Sequence, residues 1–268
     1  MSAPVTDEAA VTVDAPCVRV ELIGPVARVV IDRPHRRNAM GEQFSEDMQA
    51  AFDVVERSDV GAVVLTGAGS VFCAGGDVQE IMSVDSSDPV RDFHLIRGYN
   101  RVISRIRGLD QPVVAAVNGI AVGGGVALAL ACDLALAGAS ARYLFAFERI
   151  GLAAADMGCA SMLARAVGPL RAAQLLLTSG EVAGPQGVDL GLFVSVHEDD
   201  ELQSAALALA ERLANGPRRA NASTKLAIHR AAHVDLETAL EYEAYVQTVR
   251  FADVEHKERL AQLRGARR

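Results

Sequence analysis

The stretch PVVAAVNGIAVGGGVALALACDLALAG, Pro112 to Gly138, decides the fold. It is the most apolar part of the chain, yet Asn118, four glycines and Asp133 interrupt it, so it is no membrane span. PVVAAV is a short β-branched run of the kind buried in a parallel sheet, GGGVALALACD is a helix opened by glycine, and LALAG is a second strand. The same alternation extends upstream. VRVELIGPVARVVIDRP reads as two strands around a Gly-Pro turn, and GEQFSEDMQAAFDVVERS places Phe44, Met48, Ala51, Phe52 and Val55 on one helical face. GAVVLTG is a strand and 88–107 a helix. Strands alternating with helices imply parallel pairing and an α/β core.

From about Asp199 the pattern is helical only, with Asn215-Gly216-Pro217 as a stop and restart. The expected organisation is a loose arm over 1–16, an α/β core over 17–198 and a helical region over 199–268. A net charge of -8 argues against nucleic acid as a partner. Cys17, Cys73, Cys132 and Cys159 lie far apart and form no Cys-x-x-Cys pair, which suits reduced thiols in a cytosol. The N-terminus is acidic and lacks the pattern of a secretory signal. A soluble cytoplasmic protein without a metal site is expected.

Two glycine-rich turns each follow a strand: TGAGSVFCAGGDV, Thr66 to Val78, and NGIAVGGGVAL, Asn118 to Leu128. Glycine lets backbone N–H groups approach a ligand, and two such turns can supply two convergent donors to a carbonyl that gains negative charge. The bland alternative is a pair of tight turns that pack helices on a sheet. A dinucleotide reading of GAGSVF fails, because the third glycine and the ribose-binding residue are missing. One further feature is odd. GLAAADMGCA sets a carboxylate, Asp156, among small apolar residues, where it is either a chemical group or the N-cap of a following helix.

RPHRRNAM, VVLTGAGSVFCAGGDV, PVVAAVNGIAVGGGVALALACDLALA and LARAVG together resemble the successive blocks of the crotonase superfamily, the enoyl-CoA hydratase/isomerase family, from about Val18 to the C-terminus. The resemblance implies a spiral of β-β-α units with a helical C-terminal subdomain, assembly as a homotrimer or a hexamer built as a dimer of trimers, and an acyl-CoA substrate that carries the coenzyme A itself, with no separate cofactor. The family's oxyanion-hole donors would be the N–H groups of Gly76 and Gly124. Substrate-binding positions would be Arg37, Asn38 and Ala39 in the first block, Ala74, Asp77 and Val78 in the first glycine turn, and Phe147.

Departures from the family pattern are informative. Hydratases of the family carry two glutamates, and here the first position is Ala127. An ungapped count puts the second at Phe147, whereas a count back from RAVG puts it at Glu148, with Phe147 expected inward and Glu148 outward or at the rim. Family members with an aspartate in the Asp156 turn include a ring-epoxide isomerase, in which a small residue also replaces the first glutamate, dienoyl-CoA isomerases, and a 4-chlorobenzoyl-CoA dehalogenase, whose assisting histidine and tryptophan appear here as Asn100 and Phe147. Three readings follow: double-bond isomerisation with Asp156 as acid/base, hydration of 2-enoyl-CoA by Glu148 with Asp156, and a silent acyl-CoA-binding protein. Lys257, Arg264, Arg267 and Arg268 replace the family's C-terminal phosphate-binding run, and are expected to form a solvated tail.

Overall fold

The computed structural model describes residues 12–83, 88–231 and 233–265. Its elements are β1 (Thr12–Asp14), β2 (Val18–Ile23), β3 (Val26–Ile31), α1 (Phe44–Arg57), β4 (Ala62–Gly67), β5 (Val71–Cys73), α2 (Val78–Ser83), α3 (Pro89–Gly108), β6 (Val113–Val117), β7 (Ile120–Val122) and α4 (Gly124–Ala131). There follow β8 (Leu134–Gly138), β9 (Arg142–Leu144), α5 (Cys159–Val167), α6 (Pro169–Leu177), β10 (Glu181–Ala183), α7 (Gly184–Asp189), β11 (Ser195–His197), α8 (Leu202–Ala214), α9 (Arg218–Ala231), α10 (Leu236–Ala252) and α11 (Val254–Gly265).

The strands read from the apolar runs, β2, β3, β4, β6 and β8, join β1 and β11 in one sheet in the order β1-β2-β3-β4-β6-β8-β11, antiparallel from β1 to β3 and parallel beyond. Both of its faces are covered, which is why the runs are continuous rather than alternating. Val63, Leu65, Val113, Ala115 and Val117 face the main core with α1, α3 and α4, while Val64, Val114 and Ala116 face Leu202, Ala206, Ala210 and Ala214 of α8. Each side follows the period of two that a strand imposes.

A second sheet, β10-β9-β7-β5, lies within segments that the sequence presents as glycine turns and loops. The chain therefore repeats a unit, with β4, β6 and β8 in the large sheet each followed by β5, β7 and β9 in the small one and then by helix. These are the β-β-α units that the resemblance implies. Within the expected arm, residues 12–14 pair with β2, and residues 1–11 lie outside the described residues. Within the expected helical region, the buried stripe of α8 covers one face of the sheet.

α9 is pinned to the core as well. Lys225 is buried, and its ammonium donates to the carbonyls of Ile106 (2.9 Å) and Gln111 (3.0 Å) and pairs with Asp133 at 2.9 Å. Among the described residues no helix is long and apolar enough to cross a membrane. All four cysteines are free and buried, as small apolar residues would be.

Candidate active site

β5 and β7 run parallel, with Val71 opposite Ile120 and Cys73 opposite Ala121, so the two glycine turns leave the small sheet side by side. Their backbones then nearly touch. A Cβ on Gly75 would stand 2.8 Å from the Val122 carbonyl oxygen and 3.7 Å from the Gly124 nitrogen, and one on Gly125 would stand 2.3 Å from the Cys73 carbonyl oxygen. Gly75 and Gly123 also have positive φ, at 84° and 52°. No larger residue would allow this approach.

The approach leaves two amides open. Gly76 forms a parallel bridge with Met40 that uses the Gly75 carbonyl and the Asp77 N–H, the neighbours on either side. Parallel bridging of this kind points the N–H of Gly76 itself the other way. Gly124 is the first residue of α4, where an N–H has no partner within the helix and the dipole is positive. Among the described residues neither amide donates to another backbone group.

The first block is zipped to the first turn. Met40 N–H donates to the Gly75 carbonyl (2.8 Å), Asp77 N–H to the Met40 carbonyl (2.9 Å) and Ala74 N–H to the Arg37 carbonyl (3.1 Å). Arg37 and Asn38 both have positive φ, and the Asn38 side chain is fully buried, donating to the carbonyls of Ala68 and Val71 and accepting from Arg33 N–H. Asp77 Oδ1 accepts from the N–H groups of Gln79 and Glu80 at the start of α2, and Oδ2 lies 3.5 Å from the Arg33 guanidinium. Arg33 also donates to the Ala39 carbonyl and pairs with Glu80. The side chains of Asn38 and Asp77, two of the expected substrate-binding positions, thus hold the turn. Arg37 and Val78 are exposed beside it, whereas Ala39 is buried.

Four side chains gather at the second turn. Ring carbons of Phe147 come within 3.5 and 3.6 Å of a Cβ placed on Gly123. A Cβ placed on Gly124 would meet the Met40 methyl at 2.5 Å, the Met157 sulfur at 2.9 Å and Asp156 Oδ2 at 3.9 Å. Phe147, Met40 and Met157 are buried, so the wall is apolar apart from one carboxylate. Ala127, three residues beyond Gly124 on α4, is fully buried in the main core.

Glu148 stands elsewhere. Phe147 has helical φ and ψ of -58° and -46° and opens a single 3-10 turn over Glu148–Ile150, so strand alternation does not govern the pair. Glu148 is exposed, and its carboxylate accepts from the Ser179 hydroxyl at 2.9 Å. Glu148 is thus at the surface with one carboxylate oxygen bonded to Ser179, while Phe147 is buried. Glu148→Gln is expected to leave turnover within about threefold of wild type, in line with a surface substitution away from the reacting atoms, as steady-state kinetics on an enoyl-CoA ester would check.

The capping alternative for Asp156 does not hold. α5 begins at Cys159 behind Gly158, which has φ 72° and makes no side-chain cap; Asp156 reaches the helix through its backbone carbonyl, which accepts Cys159 N–H at 2.8 Å. Burial raises the Asp156 carboxyl above the ordinary aspartate value, against a smaller opposing effect of the Met157 N–H. The same enclosure pushes the Cys159 thiol up to about 12, with the Asp156 charge adding to the effect of burial. A carboxyl raised in the folded state binds its proton more tightly there than in the unfolded chain. Stability from this group is therefore complete below the ordinary aspartate range and is lost as pH rises through the folded value. Asp156→Asn is accordingly expected to raise the melting temperature at neutral pH, with the gain vanishing in acid below pH about 4, measured by thermal denaturation across pH.

Met40, Met157 and the pairing of Arg33 with Asp77 and Glu80 are missing from the sequence expectations. No periodicity marks the two methionines, because a left-handed turn and a loop-to-turn bridge bring them to Gly124. Lys257 and Arg264 are exposed on α11, and Arg267 and Arg268 lie outside the described residues. Among the described residues no group of three or more His, Cys, Asp or Glu side chains converges.

A family model for enoyl-CoA hydratase/isomerase matches residues 23–264. The chain is 33% identical over 236 residues to 1,2-epoxyphenylacetyl-CoA isomerase of Escherichia coli (strain K12), covering 87% of this chain and 89% of that one. It is 35% identical over 253 residues to 4-chlorobenzoyl coenzyme A dehalogenase-1 of Arthrobacter sp, covering 92% and 90%. The crystal structure of an enoyl-CoA hydratase from Polaromonas sp. JS666 superposes with a TM-score of 0.89 at 30% identity, over 93% of this chain and 97% of that one.

Proposed function

The chain belongs to the enoyl-CoA hydratase/isomerase family, and from that premise we propose that it shifts a double bond in an enoyl-CoA ester with Asp156 as its acid/base. The observation that carries the reading is the Asp156 carboxylate against Gly124, beside the amide that would hold the thioester oxygen. In this mechanism the thioester carbonyl accepts from Gly76 and Gly124 N–H. The carbonyl oxygen gains charge as a proton leaves the acyl chain, and donors fixed in advance stabilise the resulting enolate. Asp156 takes that proton and returns it at another carbon, which one carboxyl can do by acting as base and then as acid. Its raised pKa favours the first half, since a stronger base takes the proton more readily.

Hydration needs a group to hold and activate water. Phe147, which an ungapped count puts at the second glutamate of family hydratases, offers none, and Glu148 is exposed with one oxygen bonded to Ser179. The proposed assembly as a homotrimer or hexamer is supported by exposed apolar side chains on α10 and α11, among them Leu236, Tyr245, Phe251 and Leu263. Incubation with 3-enoyl-, dienoyl- and 2-enoyl-CoA esters in deuterated water tests the activity. Deuterated positional isomers are expected; a 3-hydroxyacyl-CoA product would restore the hydratase reading, and binding without any chemical change would favour a silent acyl-CoA-binding protein.

A further inference from the structure

We propose that Met157 is a positioning residue: wedged against Gly124, it holds a left-handed turn that aims the Asp156 carboxylate at the site. The inference rests on the reading of Asp156 as the acid/base. Met157 has φ 48° and Gly158 after it has φ 72°. Glycine occupies that region freely, but a methionine there persists only where its surroundings over-determine the conformation. The surroundings are visible. Met157 is 2% exposed, and its sulfur occupies space that a Cβ on Gly124 would need, with the Met40 methyl closing the other side.

Asp156 is thus held from two directions. Its carbonyl accepts the N–H of Cys159, which ties it to α5, and the residue after it is docked on the oxyanion turn, which ties it to α4. The turn sets the distance between base and N–H donors, and the Met157 side chain sets the turn. Met40 shares the niche but is fixed independently through its backbone bonds to Gly75 and Asp77. Removing the Met157 side chain while easing its backbone separates positioning from local strain, and Met157→Gly does both.

The readout is solvent-deuterium exchange into an enoyl-CoA ester, followed by mass spectrometry, together with binding of the same ester. Met157→Gly is expected to slow exchange about 10- to 100-fold, the effect of roughly 1 Å of misplacement, with ester affinity within threefold of wild type. Met157→Leu, which keeps the bulk, should stay within threefold on both. The acid limb of the pH–rate profile should move toward the ordinary aspartate value in Met157→Gly, because the carboxyl regains water. If the glycine variant does not fold, Met157→Asn takes its place, since asparagine tolerates positive φ.

Exchange within twofold of wild type in Met157→Gly, with exchange lost in Asp156→Asn, would overturn the positioning role and leave the acid/base role standing. Retained exchange in Asp156→Asn would instead sink the acid/base reading. Met157 is then judged without turnover, by carbon-13 NMR of aspartate-labelled protein: a lower Asp156 titration point in Met157→Gly supports the wedge, and an unchanged one overturns it.

Discussion

Asp156→Asn is expected to lower turnover of an enoyl-CoA ester about a thousandfold, within the range of roughly 10²–10⁴ that a positioned acid/base supplies. Affinity for the ester should stay within a few-fold. The substitution keeps shape and removes only the ability to take and return a proton, so its effect belongs on kcat rather than KM. Met40 and Met157 meet the carboxylate at Gly124 with carbon and sulfur, and Phe147 lies against the neighbouring Gly123. A residual rate from the two N–H donors alone is expected, since they stabilise the enolate whatever removes the proton. Single-turnover kinetics with wild type and variant check the size of the loss. A variant that retains more than a tenth of the wild-type rate would remove Asp156 from the mechanism.

The same substitution is expected to stabilise the fold at neutral pH, and the two effects have one cause. Burial that lifts the carboxyl's pKa makes it a better proton acceptor near neutrality and a worse ion to enclose. Catalytic groups commonly trade stability for activity in this way. A capping aspartate would give no such gain, because asparagine caps a helix about as well as aspartate. A rise in melting temperature would therefore agree with the contact that Asp156 makes with α5 through its backbone carbonyl alone.

How much was legible followed the length of the signal. Runs of five or more residues, such as VVAAV and AVVLTG, and the stripe of Phe44, Met48, Ala51, Phe52 and Val55 repeat often enough to fix a period, and each forms the element it implies. Strands of three residues, β5, β7 and β9, do not complete a period. They hide inside glycine turns, although they are what sets those turns side by side. Gly76 and Gly124 came from the family resemblance, and the Met40 bridge and the start of α4 supply the physical reason their amides are open. Phe147 and Glu148 could not be assigned by strand alternation because the chain there is a 3-10 turn. Asn38 and Asp77 sit in blocks where the resemblance implies substrate binding, and their side chains serve the scaffold, which only their hydrogen-bond partners reveal.

The neighbouring glycines Gly124 and Gly125 are expected to fail in different ways when changed to alanine, and the contrast tests whether the turns are built for chemistry or only for packing. At Gly124 the added Cβ meets the Met40 methyl and the Met157 sulfur, ends of flexible side chains that can swing aside. They would swing into the space over the N–H, and the methyl itself would crowd the carbonyl. Gly124→Ala should therefore fold with a loss of about 1 kcal/mol, a modest overpacking, while kcat falls about 100-fold or more, the size of a lost oxyanion donor. At Gly125 the Cβ would lie 2.3 Å from the Cys73 carbonyl oxygen and 2.9 Å from the Cys73 Cβ. Backbone cannot swing aside. Gly125→Ala must push the first turn off the second, so a stability loss of about 2–3 kcal/mol, at the upper end of overpacking effects, should accompany the loss of activity. Denaturant melts and kinetics on both variants decide the matter. Equal losses of stability with no difference in kcat would mean that the two turns only pack helices on the sheet. A stable but inactive Gly124→Ala would mean that the open amide is the function of the turn.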